Sequence, residues 1–346
     1  DLGAYTPARI TDLFRFYSAT VEGYFVGMRR FLKEDLRVQG LVTGTAPWWA
    51  YLGDVAVQSK MDYVDGHYYW DHPWWPAGKE WSATGWQISN KPWINDLHEL
   101  SGLASQAVEG KPFTVSEFNE VFPNRYAHEG QLLMALVGNL QDWDAVYMFD
   151  FAGNASQYDE TYTSSFFDLA GNPSKTGQLP IASRIFLRRQ SAIAPAAVRV
   201  ELNRDELGVG YSKGLINSSS FLESKGLDRR TFLRERLRMV SFDRTDPVSI
   251  DHSLPFGTVT ASNGELLWNR DSPQASFMRV TGSSVQGAIG FLKGSIVDLG
   301  DWSFRVGNAS PDHLAVLLQS RDAASLRETR HMILSVWTEY QNTGMQ

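Results

Sequence analysis

The stretch Lys111-Pro112-Phe113-Thr114-Val115-Ser116-Glu117-Phe118-Asn119 decides how this chain is read. Pro112 to Phe118 is a short apolar run, set between segments with helical spacing, and such runs specify parallel strands buried on both faces. Strict alternation places Glu117 on the same face as Phe113 and Val115, pointing inward at the strand end. A carboxylate there is costly unless it is hydrogen-bonded or takes part in chemistry.

Working outward, apolar residues recur every three or four positions from Ala8 to Glu34 (Ile10, Leu13, Phe14, Tyr17, Val21), which predicts a long amphipathic helix. An apolar run ending in Val42-Thr43-Gly44-Thr45 follows, then a helical stretch near Leu52 to Gln58 and a strand within Met61 to Tyr69. Beyond a Trp/Pro/Gly-rich loop, helices are expected near Pro92 to Val108, His128 to Gln141 and Gly177 to Arg189, with a further strand from Ala145 to Phe151. Four βα units thus fall within about 190 residues, whereas a closed (β/α)8 barrel needs eight strands and typically ~250 residues. An open doubly wound sheet normally carries a Gly-rich phosphate turn, and no G-x-G-x-x-G or P-loop occurs. Residues 1–190 therefore read as the C-terminal half of a TIM-type barrel.

Past Ala194-Pro195 the pattern changes to short β-like runs (Val198 to Leu202, Gly257 to Ala261, Ser276 to Thr281, Gln286 to Leu292, His313 to Gln319) separated by Gly and Asn turns. Residues 191–346 are expected to form an antiparallel β-sandwich, with a polar linking helix or mobile insertion near 217–238. The fold class is α/β plus all-β.

Composition narrows the function. Of 346 residues, 43% are hydrophobic and 21% charged, and 32 Lys and Arg against 39 Asp and Glu give a net charge of -7. With no basic run to hold a phosphate backbone, nucleic acid is not an expected partner. The absence of cysteine excludes disulfides, thiolate catalysis and Cys-based metal sites. No apolar stretch approaches the ~20 residues of a membrane span, so no membrane partner is expected. Asp1 in place of an initiator Met reads as a processed, cleaved or excised start. Nine of the 12 Trp lie between Trp48 and Trp143, several in loop-like sequence (Trp48-Trp49, Trp70, Trp74-Trp75), and flat rings beside polar groups suit sugar faces.

Barrel chemistry sits at the C-terminal ends of strands. Those ends are Thr43-Gly44-Thr45, His67 to His72, Ser116 to Asn119 and Phe149-Asp150-Phe151. Glu117 is the candidate nucleophile, which would need a partner carboxyl ~5 to 5.5 Å away for retention or ~6.5 to 9.5 Å for inversion. The block His67-Tyr68-Tyr69-Trp70-Asp71-His72 is dense in polar aromatics, and a Tyr or His from it is expected to hold the Glu117 carboxylate by hydrogen bonding. A metal reading of His67, Asp71 and His72 matches no defined ligand spacing and finds no fourth group. Trp143 and Asp150 flank the last strand and could line the mouth, with a buried Asp bonding loop amides the alternative. Asn119-Glu120 lies just beyond Glu117 and reads as part of the following loop. No G-x-S-x-G elbow supports Ser-His-Asp hydrolysis.

On these residues the chain resembles the retaining glycoside hydrolases with (β/α)8 barrels, closest to cellulase-like or β-galactosidase-like bacterial members. The resemblance rests on Val42 to Thr45, Asp65 to Pro73, Lys111 to Asn119, Pro123 to Tyr126, Gln141 to Asp144 and Asn172 to Lys175. It implies that Glu117 ends the seventh strand as nucleophile and that the His67 strand is the sixth. It further implies that the Asn-Glu pair carrying the acid/base, on the fourth strand, is not in this chain. His67, Tyr69, Asp71, His72, Asn119, Trp48, Trp49, Trp143 and Asp150 are the implied substrate-binding residues. The expected partner is a β-linked oligosaccharide or polysaccharide, with no cofactor and no metal, and the alternative is a non-catalytic carbohydrate-binding protein on an incomplete barrel. Open sheet edges would call for homo-oligomerisation or for a missing N-terminal segment completing the barrel. The compartment stays open, a secreted or periplasmic one being slightly favoured.

Overall fold

The computed structural model describes residues 4–47, 50–82, 85–246, 249–322 and 325–344. It is a mixed α/β structure with two parallel sheets and one large antiparallel sheet. The first parallel sheet has three strands, β1 (Val64–Trp70), β2 (Phe113–Glu120) and β3 (Ala145–Met148), in the order β1-β2-β3. Val42 to Thr45 was expected as a fourth strand and is not one. The Asp62 carboxylate takes the Val42 amide (2.9 Å) and pairs with Arg29 and Lys33, while the Asp62 amide donates back to the Val42 carbonyl. This side-chain clamp meets the backbone groups that a strand ladder would have used.

Helix α1 (Pro7–Arg30) starts at a Thr6 cap with Pro at its first position and runs on into a π-helical turn, Phe31–Asp35. Its buried residues are Ile10, Thr11 and Phe14, which sit against α6 (Arg204–Ser212), where the Thr11 hydroxyl meets the Gly208 carbonyl. Much of the rest of its apolar stripe, including Phe16, Tyr17, Tyr24 and Phe31, is exposed. Helix α2 (Leu52–Gln58) is wholly buried beside β1.

The helix expected from Pro92 to Val108 is broken into two 3-10 turns, Trp93–Asn95 and Leu97–Leu100, and a four-residue α3 (Ser101–Ala104). The buried Glu129 carboxylate accepts the Trp93 and Ile94 amides, which holds the chain entry at that point in place of a continuous helix start. Helix α4 (Gly130–Leu140) is buried on every side, and α5 (Pro173–Leu187) begins at an Asn172 cap, earlier than its periodicity suggests.

Residues 197–241 depart from the expected sandwich. β4 (Ala197–Glu201) pairs in parallel with β5 (Arg236–Ser241), forming a separate two-stranded sheet tied to the parallel layer where Met239 exchanges backbone bonds with Ala107 and Glu109. The segment 217–238 is a packed element. Asn217 caps α7 (Ser218–Ser224), and Phe221, Leu222, Phe232, Leu233 and Leu237 are buried. Its apolar residues are spread among Arg and Glu, which hides a core contribution from a composition reading.

The antiparallel sheet has the order β13-β12-β9-β8-β7-β6, built from β6 (Val259–Thr260), β7 (Leu266–Asn269), β8 (Phe277–Thr281), β9 (Val285–Phe291), β12 (His313–Ser320) and β13 (Met332–Thr338). A short hairpin, β10 (Ile296–Asp298) and β11 (Ser303–Arg305), packs Val297 and Val306 on Ala288, Leu314 and Val316 of that sheet. Trp268, Met278, Val280, Ile289 and Leu317 join one continuous core with Trp93, Phe118, Trp143 and Leu237 of the parallel layers.

Trp268 is the tie between them, 1% exposed and donating its indole N–H to the Ile94 carbonyl at 2.8 Å. Trp268→Ala should lower the unfolding free energy by about 3–5 kcal/mol, from lost burial plus the cavity left behind. The parent should melt in a single transition, the same by tryptophan emission and far-UV dichroism in urea. A loss under about 1 kcal/mol, or two separated transitions in the parent, would disprove the shared core.

Candidate functional site

The site is built by a register slip. Gly66 lies opposite Val115 and His67 opposite Glu117, so β2 carries one extra residue, Ser116. A bulge of this kind breaks strict alternation and turns the strand. Val115, Phe118 and Glu120 are therefore buried, while Ser116 and Glu117 are turned to Asp65, His67 and Tyr69 of β1. The expectation that Glu117 shares a face with Phe113 and Val115 is overturned, because alternation holds only where no residue is inserted.

On β1, Tyr68 and Trp70 stack against the buried Trp93 (centroids 5.2 and 6.1 Å), which sends the odd-numbered side chains to the other face. There Tyr69 donates its hydroxyl to Glu117 Oε2 at 2.5 Å, and His67 Nδ1 lies 3.5 Å from the same oxygen. The other side of the imidazole faces Ser116 and Asp65. Ser116 Oγ donates to Asp65 Oδ2 at 2.6 Å, so it can only accept from His67 Nε2, at 2.9 Å, and that nitrogen carries a proton. Asp65 also accepts the Thr114 hydroxyl and the Ser116 amide.

These contacts set the protonation states. The hydrogen bond to Asp65 raises His67 above its ordinary value, burial opposes this, and the Glu117 charge adds to it. Burial pushes the Asp65 carboxyl upward, but its bonds from His67, Ser116 and Thr114 outweigh it and leave it lowered. The Tyr69 phenol is raised by burial and by the Glu117 bond, which keeps it a donor.

The remaining candidates separate. His72 is edge-on to Tyr69 and Phe167, with its Nδ1 donating to the Pro73 carbonyl at 3.0 Å, and belongs to the aromatic wall around Tyr69. Phe167 stacks on Tyr69 at 4.6 Å and supports its ring; no sequence signal marked it. Asp150 is turned to Asp168, and burial together with that neighbour raises its carboxyl.

Three residues are not brought to the site as expected. Asp71 bonds the Ser89 and Asn90 amides and the Asn124 side chain, pinning the loop after β1. Asn119 is buried, its amide donating to the Phe149 and Phe167 carbonyls. Trp143 is fully buried, edge-on to Phe113 at the opposite end of β2, so it does not line the mouth. Trp48 and Trp49 lie outside the described residues. Trp74 and Trp81 are exposed on the loop after β1, and Phe149, Phe151 and Tyr158 after β3. Glu120 ends β2 and is not a loop residue; burial and then the Glu129 charge push its carboxyl well above the usual range. Beside it the buried Lys175 is pushed down to about 7 by burial, against the pull of Glu120, Asp168 and Asp150.

Among the described residues no group of three or more His, Asp or Glu could hold a metal ion, and no helix is long and apolar enough to cross a membrane. The chain matches no family model, no curated protein and no solved structure.

The network predicts two opposite pH dependences. With its folded value raised above 6.5, His67 contributes stability in full below about pH 6.5 and loses it as pH rises through that folded value. Asp65, with its folded value below 3.8, contributes above that pH and loses its share as pH falls through the folded value. Asp65→Asn should cost about 1–3 kcal/mol and move the His67 titration, followed by NMR of the ring protons, to lower pH. An unmoved His67 titration would remove Asp65 from the network.

Proposed function

We propose that the chain is the C-terminal half of a retaining β-glycoside hydrolase of the (β/α)8 type followed by a β-sandwich, with Glu117 as the nucleophile. The observation that carries this reading is the Tyr69 hydroxyl on Glu117 Oε2, at adjacent parallel strand ends beside His67. The Tyr69 bond orients the carboxylate and occupies one oxygen, which leaves the other to attack the anomeric carbon. That attack forms a glycosyl ester and expels the leaving oxygen on the opposite face, where a second carboxyl must protonate it. Asp65 already accepts three hydrogen bonds, with His67 Nε2 3.5 Å away, and Asp150 is turned to Asp168, so the proton donor in this reading comes from complementary strands.

The sheet edges support such a complement. Among the described residues β1 and β3 each pair only with β2. An apolar cleft of about 370 Å³ lies beside β3 between Met134, Val146, Met148 and Phe186, and one of about 470 Å³ lies between α1 and α2. Unpaired edges and uncovered apolar grooves are unfavourable unless other strands and helices close them. The expected ligand is a β-linked glycan, with exposed Trp74, Trp81 and Phe149 offering ring faces. A second reading, carbohydrate binding without turnover, is favoured by the commitment of both Asp65 and Asp150 to other partners.

A fluoride leaving group needs no protonation, so 2-deoxy-2-fluoro-β-glycosyl fluorides test the nucleophile without the acid. Incubation should add one fluorosugar to the peptide containing Glu117, read by mass spectrometry, and Glu117→Gln should abolish the adduct. No adduct across a sugar panel, with glycans still quenching tryptophan emission, would support the binding reading. Absence of both effects would overturn the two readings together.

A further inference from the structure

At the other end of the parallel sheet, where β2 and β3 begin, a polar cleft of about 560 Å³ opens between those strand starts and the β4–β5 ribbon. Its lining brings Lys111, Arg199, Arg236 and Arg238 together. Arg199 and Arg238 are directly opposite each other in the β4–β5 register, and Arg236 is two residues from Arg238, on the same face. Like charges so placed repel, which costs stability unless counter-charge is supplied.

The carboxylates of the cleft supply it unevenly. Glu109 is bound to Arg199 through Nε at 2.7 Å and Nη2 at 2.6 Å. Asp142 is held by Arg189 at 3.2 Å and lies 3.8 Å from Arg236. Asp144 accepts the Phe113 amide at 2.8 Å. Arg238 bonds the backbone carbonyls of Gln141 and Leu237, and burial and then the Arg236 charge lower its affinity for its proton, against the opposing charges of Asp142, Asp144 and Glu109. Arg236 has a buried Nε–H with no acceptor, and its Nη2 makes one long bond, 3.4 Å, to the Pro195 carbonyl. Arg236 thus lines the cleft with its Nη groups making only one long bond, and Arg238 lines it with each Nη group bonded to a single carbonyl and no carboxylate.

We propose that this cleft binds a tetrahedral oxyanion group, phosphate in kind, through Arg236 and Arg238. Their Cα atoms are about 6.6 Å apart along the strand, and a tetrahedral anion can turn separate oxygens to two guanidinium forks, which a single carboxylate cannot do as well. An anion held by the Nη groups of Arg236 and Arg238 would offset the mutual repulsion of the arginines. At about 560 Å³ the cleft has room for a phosphate carried on a small organic molecule. The site is independent of Glu117 and of the reading given to it.

The test uses the intact chain at constant ionic strength, with inorganic phosphate, sulfate, a hexose 6-phosphate and acetate as probes in calorimetric titration and thermal unfolding. Phosphate and the hexose phosphate should bind saturably and raise the Tm above matched chloride, acetate should not, and the hexose phosphate should bind more tightly. Tighter binding of sulfate than of either phosphate would reassign the group and overturn the phosphate assignment. Arg236→Gln and Arg238→Gln should each weaken phosphate by about tenfold or more, the value of a lost charge-assisted bond. Should these variants not fold, phosphate should still protect Arg236 and Arg238 of the parent from phenylglyoxal while leaving the exposed Arg188 reactive. A phosphate effect no larger than chloride, or equal modification of all three arginines, would overturn the proposal.

Discussion

One inserted residue governs the arrangement of this protein's polar centre. Because Ser116 is an extra residue in β2, the strand presents Val115 and Phe118 to the core and still turns Ser116 and Glu117 to the face of β1 that carries Asp65, His67 and Tyr69. Without the insertion Glu117 would be buried with Phe113 and Val115, a position a carboxylate occupies only at high cost. The same slip is seen from the other side, where Val115 pairs with Val146 and Phe118 with Met148. Everything polar at the centre of the parallel sheet follows from this displacement, including the donor chain from His67 through Ser116 to Asp65.

The core around that sheet explains why the bulge is held. Trp93 is stacked by Tyr68 and Trp70 and touched by Phe118, so one buried ring fixes the even-numbered face of β1 and the helix-side face of β2 together. Glu129 in turn holds the Trp93 and Ile94 amides and lies 3.0 Å from His313 of β12, which ties the antiparallel sheet to the same point. His128 meets His313 at 2.8 Å and is kept neutral by burial, with the His313 charge adding to the effect. The desolvation cost of these buried polar groups is offset in part by the Glu129 bonds to the Trp93 and Ile94 amides and by the His128–His313 contact. The two sheets therefore behave as layers on one core, although their strand directions and sequence patterns differ.

The two ends of the parallel sheet are unequal in charge. The strand ends at Glu117 carry a carboxylate–imidazole–carboxylate array with exposed aromatic rings nearby, while the strand starts meet a cluster of arginines across from β4 and β5. Both arrangements depend on strand ends brought together by parallel pairing, since parallel strands align their like termini. Neither would exist in an antiparallel sheet, where successive strand ends alternate.

The residues alone were enough for α4, whose apolar positions from Leu132 to Leu140 leave no polar face, and for the existence of β1, β2 and β3, which are apolar or aromatic runs between helices. They also marked Glu117 and the His67–Tyr69 block, because a carboxylate and polar aromatics at buried strand ends are expensive without partners. What the sequence could not decide was register. Period-two patterning places side chains only while no residue is inserted, and the bulge at Ser116 goes with packing of Phe118 against Trp93, a contact between segments distant in sequence. Likewise Val42 to Thr45 has the composition of a strand, yet the Asp62 carboxylate claims its amide. Asp71 and Asn119 have the chemistry of ligand contacts, yet the tertiary structure spends them on loop amides and carbonyls. Local sequence specifies which groups must find partners, and only the folded chain, by bringing distant segments within hydrogen-bond reach, decides which partners they find.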